Sequence, residues 1–127
     1  MSERTAIYGY SRQTRGARYE KAQKAKQAPS ATSLETEAGF QQWVTDLATT
    51  LGWRWVHIPD SRRLPGDGRG FPDLLLVRER IIFAECKRQS GKQTWEQTLW
   101  EIVLVSAGQE FYCWRPSDRA AIEEVLR

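Results

Sequence analysis

The sequence is poor in the residues that build disulfide frameworks and zinc sites. It has two cysteines, Cys86 and Cys113, and one histidine, His57, in 127 residues. Two cysteines make neither a disulfide framework nor a four-ligand zinc site, and a single histidine cannot complete one. This usage favours a reducing compartment and argues against chemistry based on a reactive thiol.

Long apolar runs are missing as well. No stretch approaches the ~20 consecutive apolar residues that a membrane-spanning helix needs. The N-terminus, Met1-Ser2-Glu3-Arg4, continues into polar sequence and lacks the apolar region of a signal peptide. We therefore expect a soluble, cytoplasmic protein that does not contact a membrane.

The chain nevertheless has ample material for one core, and its charge is unevenly distributed. Hydrophobic residues make up 40% of it and include six tryptophans, which excludes wholesale disorder. Residues 1–32 carry seven Lys or Arg and two Asp or Glu, a net charge of +5, whereas 33–127 carry 12 and 14, a net charge of −2. We expect 1–32 to be a basic flexible N-terminal arm and 33–127 to be the folded domain. The arm either contacts phosphates or only aids solubility.

The pattern from residue 33 onward predicts the order α-β-β-β-α-β-α. The capping-box pattern Thr32-Ser33-Leu34-Glu35 predicts a first helix over about 33–51, and Thr94-Trp95-Glu96-Gln97 opens a second. We expect the buried side of that second helix to carry Leu99, Ile102, Val103 and Trp100. The other predicted elements are a strand over 53–58, a mobile basic loop over 59–71, strands over 73–77 and 81–85, a strand over 111–114 and a short terminal helix.

The two strands predicted over 73–77 and 81–85 are expected to form a hairpin whose open end carries ionisable side chains. Their near-continuous apolar runs are typical of central strands that helices cover on both faces. If the hairpin is centred on Glu79, Asp73 lies opposite Glu85, with Cβ atoms about 4.5–5.5 Å apart. Lys87 points to the same face as Glu85 because side chains alternate along a strand. Two adjacent carboxylates repel each other, and a hard cation such as Mg²⁺ suits them as a partner.

These residues resemble a known nuclease signature. Gly70-Phe71-Pro72-Asp73, followed after eleven residues by Glu85-Cys86-Lys87, is similar to the motif of the PD-(D/E)XK superfamily. Within it, the chain most resembles the VRR-NUC-type domains of small phage and bacterial proteins, which look related to Holliday-junction resolvases. Gln97 with Trp100 and the segment from Tyr112 to Asp118 add to the likeness, which covers about 33–127. It implies an α/β fold with a restriction-endonuclease-like core, α-β-β-β-α-β, in which helices flank a central mixed sheet.

The resemblance also implies roles for individual residues. Asp73 and Glu85 match the metal-binding acids, Lys87 matches the motif lysine, and the backbone carbonyl of Cys86 matches a further metal ligand. The thiol of Cys86 points to the other face and is expected in the core. Glu37 resembles an acid that many members carry on the first helix, or else it is a solvated carboxylate favoured by the helix dipole.

Gln97 is open to two interpretations. It is the third residue of the predicted capping box, and it also matches a glutamine that family members place beside the active site. His57 is either an ordinary strand-end residue or a DNA contact.

The basic residues near the motif are candidate phosphate contacts, with a solvated surface as the alternative. They are Arg62, Arg63 and Arg69 in the loop before Asp73, and Arg88 and Lys92 after Lys87. The resemblance implies a Mg²⁺-dependent DNA endonuclease, with Mn²⁺ able to substitute, that selects branched DNA. A small one-domain nuclease that cuts two strands often works as a symmetric dimer, so a homodimer is a further expectation. The alternative is a nucleic-acid-binding module that keeps the fold without catalysis.

Overall fold

The computed structural model describes residues 31–127, so the expected arm over 1–32 lies almost entirely outside the described residues. Three helices of at least eight residues and one additional helical turn accompany four strands in an α/β arrangement. Within residues 31–127, no helix combines the length and the apolar character that a membrane span needs. The elements are α1 (Ala31–Leu34), α2 (Glu37–Thr50), β1 (Arg54–His57), β2 (Leu74–Val77), β3 (Ile81–Cys86), α3 (Trp95–Ser106), β4 (Glu110–Trp114) and α4 (Arg119–Leu126).

The four strands form one open mixed sheet in the order β1-β2-β3-β4. β1, β2 and β3 pair antiparallel, and β4 pairs parallel with β3 after the crossover through α3. The hairpin register pairs Leu74 with Ala84 and Val77 with Ile81. This register continues to Asp73 opposite Glu85, which confirms the predicted centre at Glu79. β2 and β3 are the central strands, as their apolar sequences predict.

Helices cover both faces of the sheet. On one face, α2 and α4 pack against the strands around Phe40, Val44, Ile122 and Leu126, all of which are fully buried. On the other face, Leu104 of α3 packs with Phe111 and Cys113 of β4, beside the partly buried Phe83 and Trp100. The prediction of helices on both sides is therefore confirmed.

The first long helix begins later than the sequence predicts. The expected helix over 33–51 is broken after Leu34, and α2 starts at Glu37 behind Thr36. Thr36 has an extended backbone, and its hydroxyl accepts the Gly39 N–H at 3.0 Å. The predicted cap at Thr32 was wrong because Thr36 satisfies the free N–H group of this helix start instead.

The buried face of α3 also differs from the prediction. Leu99, Ile102 and Val103 are 45%, 51% and 49% exposed, whereas Leu104 is buried. Gln97 bonds a strand residue and therefore sets which face of the helix turns to the sheet. Leu104 lies seven residues after Gln97 on the face of α3 that turns to the sheet. The stripe of Leu99, Ile102 and Val103 lies to the side of that face. The expectation that the stripe is buried was wrong, although Trp100 is partly buried as expected.

The segment over 59–71 contains local structure rather than only a loop. Two 3₁₀ turns, Ser61–Arg63 and Gly66–Gly68, lie between β1 and β2. Asp60 caps the first turn by accepting the Arg62 N–H at 3.2 Å. The segment then passes over the first turn of α3 and reaches Asp73 at the end of the hairpin.

Candidate active site

The half-buried Asp73 and the buried Glu85 form a carboxyl pair at the open end of the hairpin. Oδ2 of Asp73 accepts the backbone N–H of Cys86 at 3.1 Å. The backbone carbonyl of Asp73 accepts the Ile58 N–H at 2.8 Å. Glu85 is only 1% exposed. The two carboxyl groups lie within hydrogen-bonding reach of each other. The predicted juxtaposition across the hairpin is therefore present.

Burial and mutual repulsion disfavour the ionised forms of this pair. Burial, followed by the charge of Asp73, raises the pKa of Glu85 from its ordinary value of 4.5 to about 9. Burial also raises the pKa of Asp73, although the hydrogen bond from the Cys86 N–H opposes the shift. A positive charge between the two groups would reverse both effects. Either a shared proton or a bound cation would relieve this repulsion.

Lys87 supplies a fixed positive charge on the same face. Lys87 is 9% exposed, and its backbone N–H donates to the Trp114 carbonyl at 2.9 Å. The charge of Lys87 lowers the pKa of both Asp73 and Glu85, against the larger effect of burial. Lys87 therefore offsets part of the repulsion between the two carboxyl groups. The pKa of each remains raised, so a further positive charge would still stabilise the pair.

Gln97 joins the start of α3 to the carboxyl pair. Its Oε1 accepts the Thr94 N–H at 2.8 Å, and the Thr94 hydroxyl accepts the Gln97 N–H at 3.2 Å, which completes the capping box. Its Nε2 donates to Oε1 of Glu85 at 2.5 Å. The capping interpretation of Gln97 is therefore confirmed, and the same amide group also holds the Glu85 carboxyl group in one orientation.

A cavity of about 620 Å³ lies beside the pair and is lined by Asp73. It brings together Glu37, Asp73, Lys87 and Gln97, four of the residues singled out from the sequence. A volume of this size suits a small ligand or one segment of a larger one. Glu37 itself is exposed at the first turn of α2, so its carboxylate faces the cavity from the helix end.

The basic candidates separate into two groups. Arg62 and Arg69 line the cavity. Arg63 pairs with Asp60 at 3.3 Å, while Arg88 and Lys92 are exposed and lie outside the cavity lining.

His57 is exposed at the end of β1, close enough to Asp73 for a positive charge on its imidazole to oppose the burial that raises the pKa of that carboxyl group. It therefore lies near the site without lining the cavity.

Sequence reasoning missed two acids of the cavity wall. Asp60 lines it and also pairs with Arg62 at 3.0 Å, and Glu96 lines it from the first turn of α3. An aspartate before Ser61-Arg62-Arg63 is a typical cap, and a glutamate in a first helical turn is favoured by the helix dipole. Those local signals explain the residue types but do not show that the chain fold brings both acids to one cavity.

The donor set fits a hard cation with oxygen ligands. Within the described part of the chain, no three His, Cys, Asp or Glu side chains gather into a group that holds a metal ion by themselves. However, Oε2 of the buried Glu85 receives no hydrogen bond from a described residue. The Cys86 N–H points to Asp73, and the carbonyl of a strand residue lies on the same side as its N–H. Two carboxylates and one carbonyl leave positions for water, as Mg²⁺ prefers.

The Cys86 thiol belongs to the core and not to the site. It is fully buried among the residues under α2, and burial raises the pKa of the thiol. A neutral thiol is a poor nucleophile and a poor metal ligand. The expectation of a core role for this side chain is confirmed.

Comparison with known proteins adds no relative to this description. No family model, no curated protein and no solved structure matches the chain. What the cavity can do is therefore inferred from its own side chains and from their chemistry.

Proposed function

We propose that the protein is a metal-dependent phosphodiesterase that hydrolyses DNA. One observation carries the proposal: the half-buried Asp73 and the buried Glu85 form a mutually repelling pair beside Lys87, and Asp73 and Lys87 line an open cavity. Such a pair is costly to the fold, because it must either hold a proton at neutral pH or bind a cation, and a purely structural role does not call for that cost. The element order and the mixed sheet are compatible with a restriction-endonuclease-like core, and this finer fold assignment is part of the proposal.

Asp73, Glu85 and the carbonyl of Cys86 are the residues that would hold Mg²⁺, with Mn²⁺ as a substitute. When bound, the ion polarises a phosphate and makes water a stronger nucleophile at neutral pH. Gln97 keeps Glu85 in one orientation by donating to its Oε1, which leaves Oε2 available as a ligand. An oriented carboxylate avoids reorganisation when the cation and the substrate arrive.

Lys87 and the cavity arginines contribute positive charge where phosphate needs it. The Lys87 ammonium group lies beside the carboxyl pair and stabilises the negative charge that develops on the reacting phosphate. Arg62 and Arg69 stand at the cavity wall, where they bind flanking phosphates of the strand. The preference for branched DNA is proposed on the resemblance of the Gly70-Phe71-Pro72-Asp73 and Glu85-Cys86-Lys87 segments to resolvase-like nucleases.

The test is a cleavage assay on labelled DNA. The purified protein is incubated with duplex, single-stranded, flap and four-way-junction DNA, with Mg²⁺, Mn²⁺ or EDTA. We expect cleavage that needs the cation and favours the junction or the flap. Asp73→Asn and Glu85→Gln are expected to abolish it, whereas Asp46→Asn and Glu124→Gln remove the same charges at exposed positions and retain it.

Two outcomes would decide against the proposal. Cleavage by Asp73→Asn or Glu85→Gln at the wild-type rate would remove the site assignment. Binding of DNA without cleavage under any cation would favour the alternative, a nucleic-acid-binding module with this fold. Anisotropy measurements on the same labelled DNA distinguish that module from a protein that does not bind DNA at all.

A further inference from the structure

Trp100 ties the basic segment before β2 to helix α3. Its indole N–H lies 3.2 Å from the Asp67 carbonyl and 3.0 Å from the Arg69 carbonyl, and it donates to both. Its ring meets the ring of Phe71 edge to face with centroids 5.0 Å apart, and Phe71 meets Phe83 in the same way at 6.0 Å. One side chain thus holds the segment at two carbonyls and one ring.

Gly70 brings the same segment into direct contact with α3. Its φ is +83°, and a Cβ added there would lie 2.5 Å from the Glu96 carbonyl carbon and 2.7 Å from the Gln97 nitrogen. Only glycine allows this approach. The backbone around Arg69 is therefore fixed against the helix turn that carries Gln97, the residue that orients Glu85.

Arg69 is the arginine of this segment that pairs with no acid of residues 31–127. Arg62 and Arg63 both pair with Asp60, at 3.0 Å and 3.3 Å. Arg69 forms no ion pair with a described residue, and its side chain is exposed at the wall of the cavity. It also borders a second groove of about 510 Å³, which Trp100, Leu99 and Val103 line. A free guanidinium on a fixed backbone at the border of two grooves is suited to a phosphate.

We propose that Trp100 is a positioning residue that acts through Arg69. By holding the Asp67 and Arg69 carbonyls, it presents the Arg69 guanidinium at the cavity wall, ready for a phosphate next to the one that reacts. This role rests on the proposed nuclease function. A donor that is already in place loses less conformational freedom when the strand binds, so Trp100 acts on substrate affinity and not on the chemical step.

The test compares two tryptophans of one helix. Trp100→Phe keeps an aromatic ring against Phe71 and removes the N–H donor, while Trp95→Phe makes the same change at a residue that is 69% exposed. We expect Trp100→Phe to raise KM for DNA by about tenfold and to leave kcat within about twofold, because the variant cannot form the two hydrogen bonds to the segment. Trp95→Phe is expected to leave both unchanged. Trp100→Tyr replaces the Phe variant if that variant does not fold.

A double-mutant cycle shows whether the effect passes through Arg69. Arg69→Gln alone is expected to raise KM, and adding Trp100→Phe to it is expected to raise KM little further. If the KM effects of Trp100→Phe and Arg69→Gln multiply in the double variant, the two residues act independently and the proposal is overturned. A loss of kcat with KM unchanged in Trp100→Phe would also overturn it. Unchanged KM and kcat in Trp100→Phe, as expected for the control Trp95→Phe, would overturn it as well.

A second measurement needs no substrate and separates this proposal from the proposed function. Trypsin cleaves after arginine, and Trp100→Phe is expected to speed cleavage after Arg69 relative to wild type and to Trp95→Phe. If the wild-type protein neither binds nor cleaves DNA, the nuclease function is wrong, and the phosphate role of Arg69 fails with it. If the wild type cleaves DNA while trypsin finds no difference, only the positioning role of Trp100 is wrong.

Discussion

Replacing Asp73 by asparagine is expected to stabilise the metal-free protein at alkaline pH. Burial and the neighbouring charge raise the pKa of Glu85 from 4.5 to about 9 in the folded protein. Between these values the folded state binds more protons than the unfolded chain, so the free energy of unfolding falls as the pH rises. Asp73→Asn removes one charge of the pair, and the Asn oxygen still accepts the Cys86 N–H.

The size of the effect follows from the geometry of the hairpin. The two carboxyl groups lie within hydrogen-bonding reach, and two unit charges about 4 Å apart repel by about 4 kcal/mol at an effective dielectric constant of about 20. The shared proton already relieves part of this repulsion, so we expect a gain of about 1–3 kcal/mol at pH 8. For a domain of this size, each kcal/mol raises Tm by about 4–8 °C.

The assay is thermal unfolding followed by circular dichroism in EDTA at pH 5 and pH 8. The gain is expected at pH 8 and should shrink at pH 5, where the unfolded chain also binds part of this proton and holding it in the folded pair therefore costs little. Adding Mg²⁺ should stabilise wild type more at pH 8 than at pH 5 and should have a smaller effect on Asp73→Asn. Equal stability of the variant and wild type at pH 8, or the same gain in Asp46→Asn, would refute the reasoning.

Three further predictions concern Lys87, Gln97 and the residues before α1. Lys87→Met should lower kcat at least about 100-fold, because its ammonium group no longer stabilises the reacting phosphate, with an unchanged circular dichroism spectrum; wild-type turnover would make Lys87 a structural charge only. Gln97→Leu should lower the free energy of unfolding by about 1 kcal/mol and reduce kcat, because it removes both the cap and the orientation of Glu85; a change in stability alone would contradict the second role. Removal of residues 1–30 should keep cleavage at low salt and make the slope of log K against log salt shallower by about 0.9 for each phosphate that these residues neutralise in the full chain; an unchanged slope in anisotropy would leave these residues without a DNA role.

The hairpin was predictable because its register depends on local rules. Two apolar runs flank a short polar turn, and the pairing follows once Glu79 is placed at the centre. A slip of one residue would turn Leu74 and Ala84 out of the core, so burial permits only one register. The juxtaposition of Asp73 and Glu85 follows from that register, which is why the proximity of these two acids could be predicted from the sequence.

Helix orientation was not predictable in the same way. Leu99, Ile102 and Val103 are spaced like a buried stripe, yet the hydrogen bond from Gln97 to Glu85 turns another face of α3 to the sheet. Periodicity shows that a helix has an apolar face, but a tertiary contact between distant segments decides which face is covered. The same limit explains why Asp60 and Glu96 were not recognised as parts of one cavity.

The contact between Gly70 and α3 gives a last prediction with an internal control. Gly52 and Gly70 have nearly the same φ, +85° and +83°, but an added Cβ meets nothing within 4 Å at Gly52 and lies 2.5 Å from the Glu96 backbone at Gly70. Alanine at a positive φ costs about 1–2 kcal/mol at either position. Gly52→Ala should therefore lower Tm and keep kcat/KM.

Gly70→Ala should lower Tm further and reduce kcat/KM about 100-fold. The added Cβ must push the segment or the start of α3 aside, and a shift of about 1 Å in Gln97 misplaces Glu85. Thermal unfolding and cleavage kinetics on one DNA substrate measure both effects for the two variants. Equal kcat/KM in Gly52→Ala and Gly70→Ala would mean that the contact with α3 does not support the carboxyl pair, because the two substitutions share the backbone strain and differ only in that contact.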